Sequence, residues 1–133
     1  MATFGWETCI DAQGCDIESI RDLKNIKKFL DEVIKVTNMQ KMGKLHSHYL
    51  PDTEENREKG IIGWSICQFI VTSSITIHFC EDMEKNNGTM YLNFFSCKQY
   101  NSEDVKDLVK KYFKTDNWRY INLIRDVNKA EWW

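Results

Sequence analysis

The sequence is poor in chain breakers and has no excess of charge of one sign. Its 133 residues include one proline, Pro51, and six glycines, which excludes collagen-like and low-complexity chains. Lys and Arg number 18 against 20 Asp and Glu, a formal net charge of −2. No broad basic face is left for a nucleic-acid backbone, so no nucleic-acid partner is expected. No apolar run approaches the ~20 residues of a membrane-spanning helix, so no membrane partner is expected either. Met1 to Cys15 lacks the basic start and apolar stretch of a signal peptide, and the expectation is a cytoplasmic protein. The five cysteines, Cys9, Cys15, Cys67, Cys80 and Cys97, are odd in number and include no C-x-x-C pair, which points to free thiols rather than a disulfide framework or zinc ribbon. His46-x-His48 has no third ligand in reach, so no metal is expected.

What is present is a globular composition, 42% hydrophobic and 29% charged, long enough for one domain over residues 1–133 with a core of its own. From Asp16 to Thr37, Ile20, Leu23, Ile26, Leu30, Val33 and Ile34 recur at helical spacing behind a possible Asp16 cap. A second one-sided helix follows Asn101, with Val105, Leu108, Val109, Tyr112 and Phe113 on one face. Strands are predicted over Trp6 to Asp11, Lys44 to Leu50, Ile61 to Val71, Ser74 to Cys80, Thr89 to Cys97 and Trp118 to Arg125. Residues 51–60 and 81–88 read as polar loops. The order predicts an α+β fold, a two-layer sandwich of β-α-β-β halves with the helices on one face of a mainly antiparallel sheet.

Within the strand at Ser74 to Cys80, Ile75, Ile77 and Phe79 alternate with Ser74, Thr76, His78 and Cys80. One face suits a core. The other gathers hydroxyls, an imidazole and a thiol, and a face turned away from the helices must meet water, another subunit or a pocket. Ser65 and Cys97 stand near the ends of neighbouring strands and are candidates to join it. On residue types alone these remain either ordinary sheet or a site, and no G-x-S-x-G elbow argues for a Ser-His hydrolase.

Five stretches in order tip the balance. They are Asp11-x-x-Gly14-Cys15-Asp16, His48-Tyr49-Leu50-Pro51, Gly63-Trp64-Ser65, Ser73-Ser74-Ile75-Thr76-Ile77-His78 and Tyr91 to Cys97. Together they resemble the short S-adenosylmethionine decarboxylases, which carry a pyruvoyl group made from their own serine. The resemblance implies self-cleavage between Thr72 and Ser73, the Ser73 hydroxyl attacking the Thr72 carbonyl and leaving the covalent pyruvoyl cofactor, which takes the substrate amine as a Schiff base. It implies that Ser65 and His78 assist processing, that Cys97 returns a proton after CO₂ loss, that Asp82 and Tyr49 grip the nucleoside, and that Asp11 borders the substrate. It also implies a small-molecule substrate and a homodimer. Thr72, Ser74 and Asn93 depart from the family's usual Glu, His and Asp. The readings left open are an S-adenosylmethionine decarboxylase of polyamine synthesis, a pyruvoyl decarboxylase of the same fold acting on ornithine or arginine, and an uncleaved, non-catalytic homologue. Because Ser73 and His78 are five positions apart and would face opposite ways on a regular strand, a bend at Ser73-Ser74 is expected.

Overall fold

The structure is a computed structural model that describes residues 4–71, 73–128 and 130–132; Thr72, on one side of the expected cleavage point, lies outside the described residues. The strands β1 (Phe4–Asp16), β2 (His46–Leu50), β3 (Gly63–Ile70), β4 (Ser73–Asp82), β5 (Asn87–Ser96), β6 (Asn117–Asp126) and β7 (Ala130–Trp132) form one sheet in the order β2-β3-β4-β5-β1-β6-β7. Every neighbouring pair is antiparallel. Helices α1 (Ile17–Arg21), α2 (Leu23–Val36) and α4 (Ser102–Phe113) bury their apolar residues in one cluster with one face of this sheet. The α+β two-layer sandwich is as expected. The orders β1-α-β2-β3 and β5-α4-β6-β7 repeat the β-α-β-β plan on either side of β4.

The core follows from alternation. Ile10 and Ala12 on β1, Ile66 and Ile70 on β3, Ile75, Ile77 and Phe79 on β4, and Met90, Leu92 and Phe94 on β5 are all buried. Phe29 and Val33 of α2 and Val109 and Phe113 of α4 meet them with no exposed surface. Truncating any such side chain removes both transfer energy and packing, about 3–5 kcal/mol for a buried phenylalanine.

Several local expectations change. The helix predicted across Asp16 to Thr37 is two helices, because Asp22 turns to extended backbone at ψ 103° and its carboxylate caps α2 by accepting from Lys24 N. Asp16 caps α1 as expected, accepting from Ser19 N. Residues 51–60, read as a loop, contain α3 (Glu54–Lys59), capped by Thr53 and ended by Gly60 in the left-handed region; it buries no residue, so no apolar period announced it. Strand β1 runs on to Asp16 through a register shift between Ala12 and Cys15, where Gly14 takes φ +69°, the conformation a bulge asks of glycine. The bend expected at Ser73-Ser74 is absent. Pairing of β4 runs unshifted from Ser73 against both β3 and β5, because only positions 71 and 72 join Ile70 to Ser73 and so short a connection keeps the ladder in register.

Candidate functional site

The face of the sheet opposite α1, α2 and α4 gathers most of the candidate side chains. Alternation sends Ser65 of β3 and His78 of β4 to that face directly opposite each other, and Ser65 Oγ and His78 Nδ1 lie 3.0 Å apart. Register extends the line across six strands: His48, Ser65, His78, Tyr91, Asp11 and Arg119 stand side by side from β2 to β6. The next line holds His46, Cys67, Thr76, Asn93, Cys9 and Ile121. All three histidines of the chain therefore face the same way. Beside Asp11 and Arg119 lie two concavities of about 260 and 540 Å³, walled by Tyr91 on one side and by Cys9 and Ile121 on the other. Leu50, Phe69, Tyr91 and Ile121, 37–48% exposed, spread apolar surface over the face.

Ser73 stands elsewhere. It is the first residue of β4, with the parity of Ile75, half-buried on the helix side, and its Oγ lies 3.5 Å from the Val71 carbonyl oxygen to which it donates. Its partner across the ladder is Ser96 of β5, so Cys97, the next residue, lies at the same end of the sheet. At a rise of about 3.3–3.4 Å per residue, His78 is some 17 Å along the strand from Ser73 and on the opposite face. One chain thus holds two groups apart: Ser73 with Cys97, and Ser65 with His78 and Asp11.

Tyr49 and Asp82 join neither. Tyr49 pairs with Trp64 and has the parity of the helix side, where its phenol donates to Glu81 at 2.8 Å. Burial and that carboxylate push its pKa up to about 12. The Glu81 side chain is 1% exposed and also receives Arg21 Nε at 2.7 Å, while Trp64 Nε1 donates to the Arg21 carbonyl. Glu81 was missing from the sequence reading, although its apolar-face parity between Phe79 and the turn was the signal. Asp82 accepts from Glu84 N and Lys85 N and so shapes the β4–β5 turn, beside a concavity of about 440 Å³ lined by Arg57, Ile62 and Cys80. Arg119 was missed as well, and so was its grouping with His48 and Tyr91; each follows from carrying the two-residue period through its own strand.

Around the far end of the open face, Glu7 accepts from Arg125 at 3.3 Å and from Asn93 at 3.5 Å, and Asn93 Nδ2 lies 3.2 Å from Cys9 Sγ. Burial, then the Glu7 charge, raises the Cys9 thiol; burial raises Cys80 and pushes Cys15 up to about 12. Among the described residues, no three His, Cys, Asp or Glu side chains converge to hold a metal ion, and no helix is long and apolar enough to cross a membrane.

The comparisons with known proteins bear on this arrangement. Curated protein sequences give no match. Among solved structures, the adenosylmethionine decarboxylase of Aquifex aeolicus VF5 is similar with a TM-score of 0.66 at 16% identity, over 95% of this chain and 92% of that one, a likeness of fold. The family model for S-adenosylmethionine decarboxylase matches residues 6–126. The chain belongs to the S-adenosylmethionine decarboxylase family.

Proposed function

We propose that this chain is a self-cleaving, pyruvoyl-dependent decarboxylase of S-adenosylmethionine, severed between Thr72 and Ser73 and supplying aminopropyl groups for polyamine synthesis in the cytoplasm. The observation that carries the reading is the place of Ser73. It is a hydroxyl at the start of β4, two positions after the end of β3. A cut there breaks no ladder pair, because pairing begins at Ile70 and Ser73 themselves. The residue types fit the group: its source serine is present, half-buried, with its Oγ turned back toward the connecting segment. In processing, the Ser73 oxygen replaces its own nitrogen on the Thr72 carbonyl. The resulting ester then eliminates the Thr72 carboxylate, and water releases ammonia to leave the ketone. That ketone supplies an electron sink for the charge left when CO₂ departs. Cys97, next to Ser73's ladder partner, holds the proton returned to the substrate carbon, and His78, oriented by Ser65, takes and gives protons.

The separation of these two groups supports a homodimer. Some 17 Å and a sheet lie between Ser73 and His78 of one copy, so the Ser65–His78 pair serves the Ser73 of a second copy. The apolar surface at Leu50, Phe69, Tyr91 and Ile121 is what such a copy would cover. A second reading, a pyruvoyl decarboxylase acting on a simpler amino acid such as ornithine or arginine, is favoured by Tyr49 and Asp82, since the first is bound to Glu81 and the second is occupied by a turn. Release of labelled CO₂ by the purified protein decides: release from S-adenosylmethionine supports the first reading, release from ornithine or arginine alone supports the second, and release from none overturns both.

A further inference from the structure

We infer that the second copy seats on the open face through a two-fold axis that runs across the strands along Cys67, Thr76, Asn93 and Cys9, so that each of these residues comes opposite its own counterpart. The inference rests on the reading that Ser65 and His78 serve the Ser73 of another copy, and it adds where that copy sits and which residues hold it.

A closed dimer is isologous: the rotation that takes residue i to residue j also takes j to i. Two sheets that meet through the same face are related by an axis lying in the plane between them. An axis parallel to the strands leaves every residue at its own height, so Ser73 of one copy and His78 of the other stay about 17 Å apart, as they are within one chain. An axis perpendicular to the sheet sets the copies edge to edge and covers neither face. An axis across the strands reverses height and lays each strand over itself. It brings Ser73 to the level of His78 when it passes midway between them, at Ile75 and Thr76. Ile75 is buried in the core, so Thr76 is the one on the open face. Register carries that height to Cys67 on one side and to Asn93 and Cys9 on the other.

The same rotation makes contacts that suit the residues involved. Within one residue of height, Tyr91, 47% exposed, comes over Phe95 of the other copy. Phe69, 45% exposed, comes over Ser65 of the other copy, where it excludes water from the Ser65–His78 pair. Asp11 and Arg119 come against the Glu7–Arg125 ion pair of the other copy, two acids and two guanidinium groups with no net charge. Six strands about 4.8 Å apart, ten residues long at β4, give the face roughly 900 Å², close to the ~800 Å² per partner of a stable interface. Aligned sheets cross at about 30°, a rotation that displaces the residues nearest the centre least.

The test is thiol cross-linking of the full chain with a bifunctional reagent spanning about 10 Å, the distance between packed sheets, followed by mass mapping of the linked peptides. Cys67 should link to Cys67 and Cys9 to Cys9, because both lie along the axis. Cys80 should link to Cys97 and never to itself, since reversal of height brings these two together. Within one chain that link is out of reach: Cys97 lies beyond Ser96, the partner of Ser73, more than about 23 Å along the sheet from Cys80. Thr76→Arg sets two guanidinium groups against each other on the axis and should raise the dimer dissociation constant in sedimentation at least 10-fold, while Lys24→Glu, on the exposed side of α2, should leave it unchanged. A wild-type protein that sediments as a monomer overturns the proposal. So does a Cys80 self-link, a dimer without the Cys67 self-link, or a folded T76R that dimerises as the wild type does. The predicted links in a protein that releases no CO₂ from any of the candidate substrates count against the decarboxylase reading alone, and the placement of the second copy then stands on the links.

Discussion

Replacing Glu81 with leucine should be among the most destabilising single changes away from the central core. The carboxylate is 1% exposed and accepts from Arg21 at 2.7 Å and Tyr49 at 2.8 Å, joining α1, β2 and β4 at one end of the sheet. Removing one member of a buried charge pair costs about 3–5 kcal/mol, chiefly because the survivor keeps its charge without a partner. Arg21 is 35% exposed and also lies 3.7 Å from Glu18, so water and that neighbour return part of the loss. The lower end, about 3 kcal/mol, is expected, or roughly 10 °C in Tm for a chain of this length. Glu81→Gln keeps one acceptor and should cost about 1–2 kcal/mol. Arg21→Leu leaves the more deeply buried charge and should cost at least as much as Glu81→Leu. The double variant, apolar on both sides, should be less destabilised than the sum of its singles by about 1.5–3 kcal/mol. Urea unfolding followed by tryptophan fluorescence, with m held constant across the set, gives all four values. A Glu81→Leu protein within 1 kcal/mol of wild type, or strict additivity in the cycle, would refute the reasoning.

Three further outcomes follow from the same contacts. Folding raises the Tyr49 and Tyr112 phenols to about 12, through burial first and then through Glu81 and Glu32 respectively. A raised folded pKa adds stability that is complete below the unfolded value near 10 and lost as pH climbs toward 12, so urea midpoints should be flat from neutral pH to about 9 and fall steeply above 10; a flat curve through pH 12 contradicts this. Cys15 is fully buried with its thiol pushed up to about 12, and thiol titration at pH 8 should miss it in native protein and recover it in denaturant, a result that reaction at the native rate of the other thiols would exclude. Gly63 has φ +139°, and a Cβ there would sit 2.3 Å from the Phe79 carbonyl oxygen; Gly63→Ala should cost about 2–4 kcal/mol by circular dichroism melting and also disturb the neighbouring Ser65–His78 pair.

Much of the architecture could be read in the sequence because it is local. The alternation of Ile75, Ile77 and Phe79 with Ser74, Thr76 and His78 separates core face from open face by residue type alone, and Asp16 and Asn101 mark the helix starts they do cap. What escaped lacked a local signature. Ile20 and Leu23 keep helical spacing across Asp22, so periodicity ran straight through the break between α1 and α2. Helix α3 buries nothing and leaves no apolar stripe. The candidate site was legible as residue types and not as geometry. That Ser65 meets His78, or that Tyr91 stands between His78 and Asp11, depends on register fixed by the short β3–β4 connection and the β4–β5 turn. Tyr49 faces the helices because of one step of alternation in β2, and its partner Glu81 is 32 positions away. The straight ladder at Ser73 had the same cause: a bend was inferred to bring Ser73 and His78 together within one chain, whereas the strand keeps them apart.

Intact-mass analysis of freshly purified protein under denaturing conditions tests the central claim most directly. The account predicts two fragments, residues 1–72 and 73–133, the second beginning with a keto group in place of an amine and lighter than an amino-terminated serine peptide, while Ser73→Ala stays whole. A wild-type chain that remains a single species of full mass through prolonged incubation would contradict it.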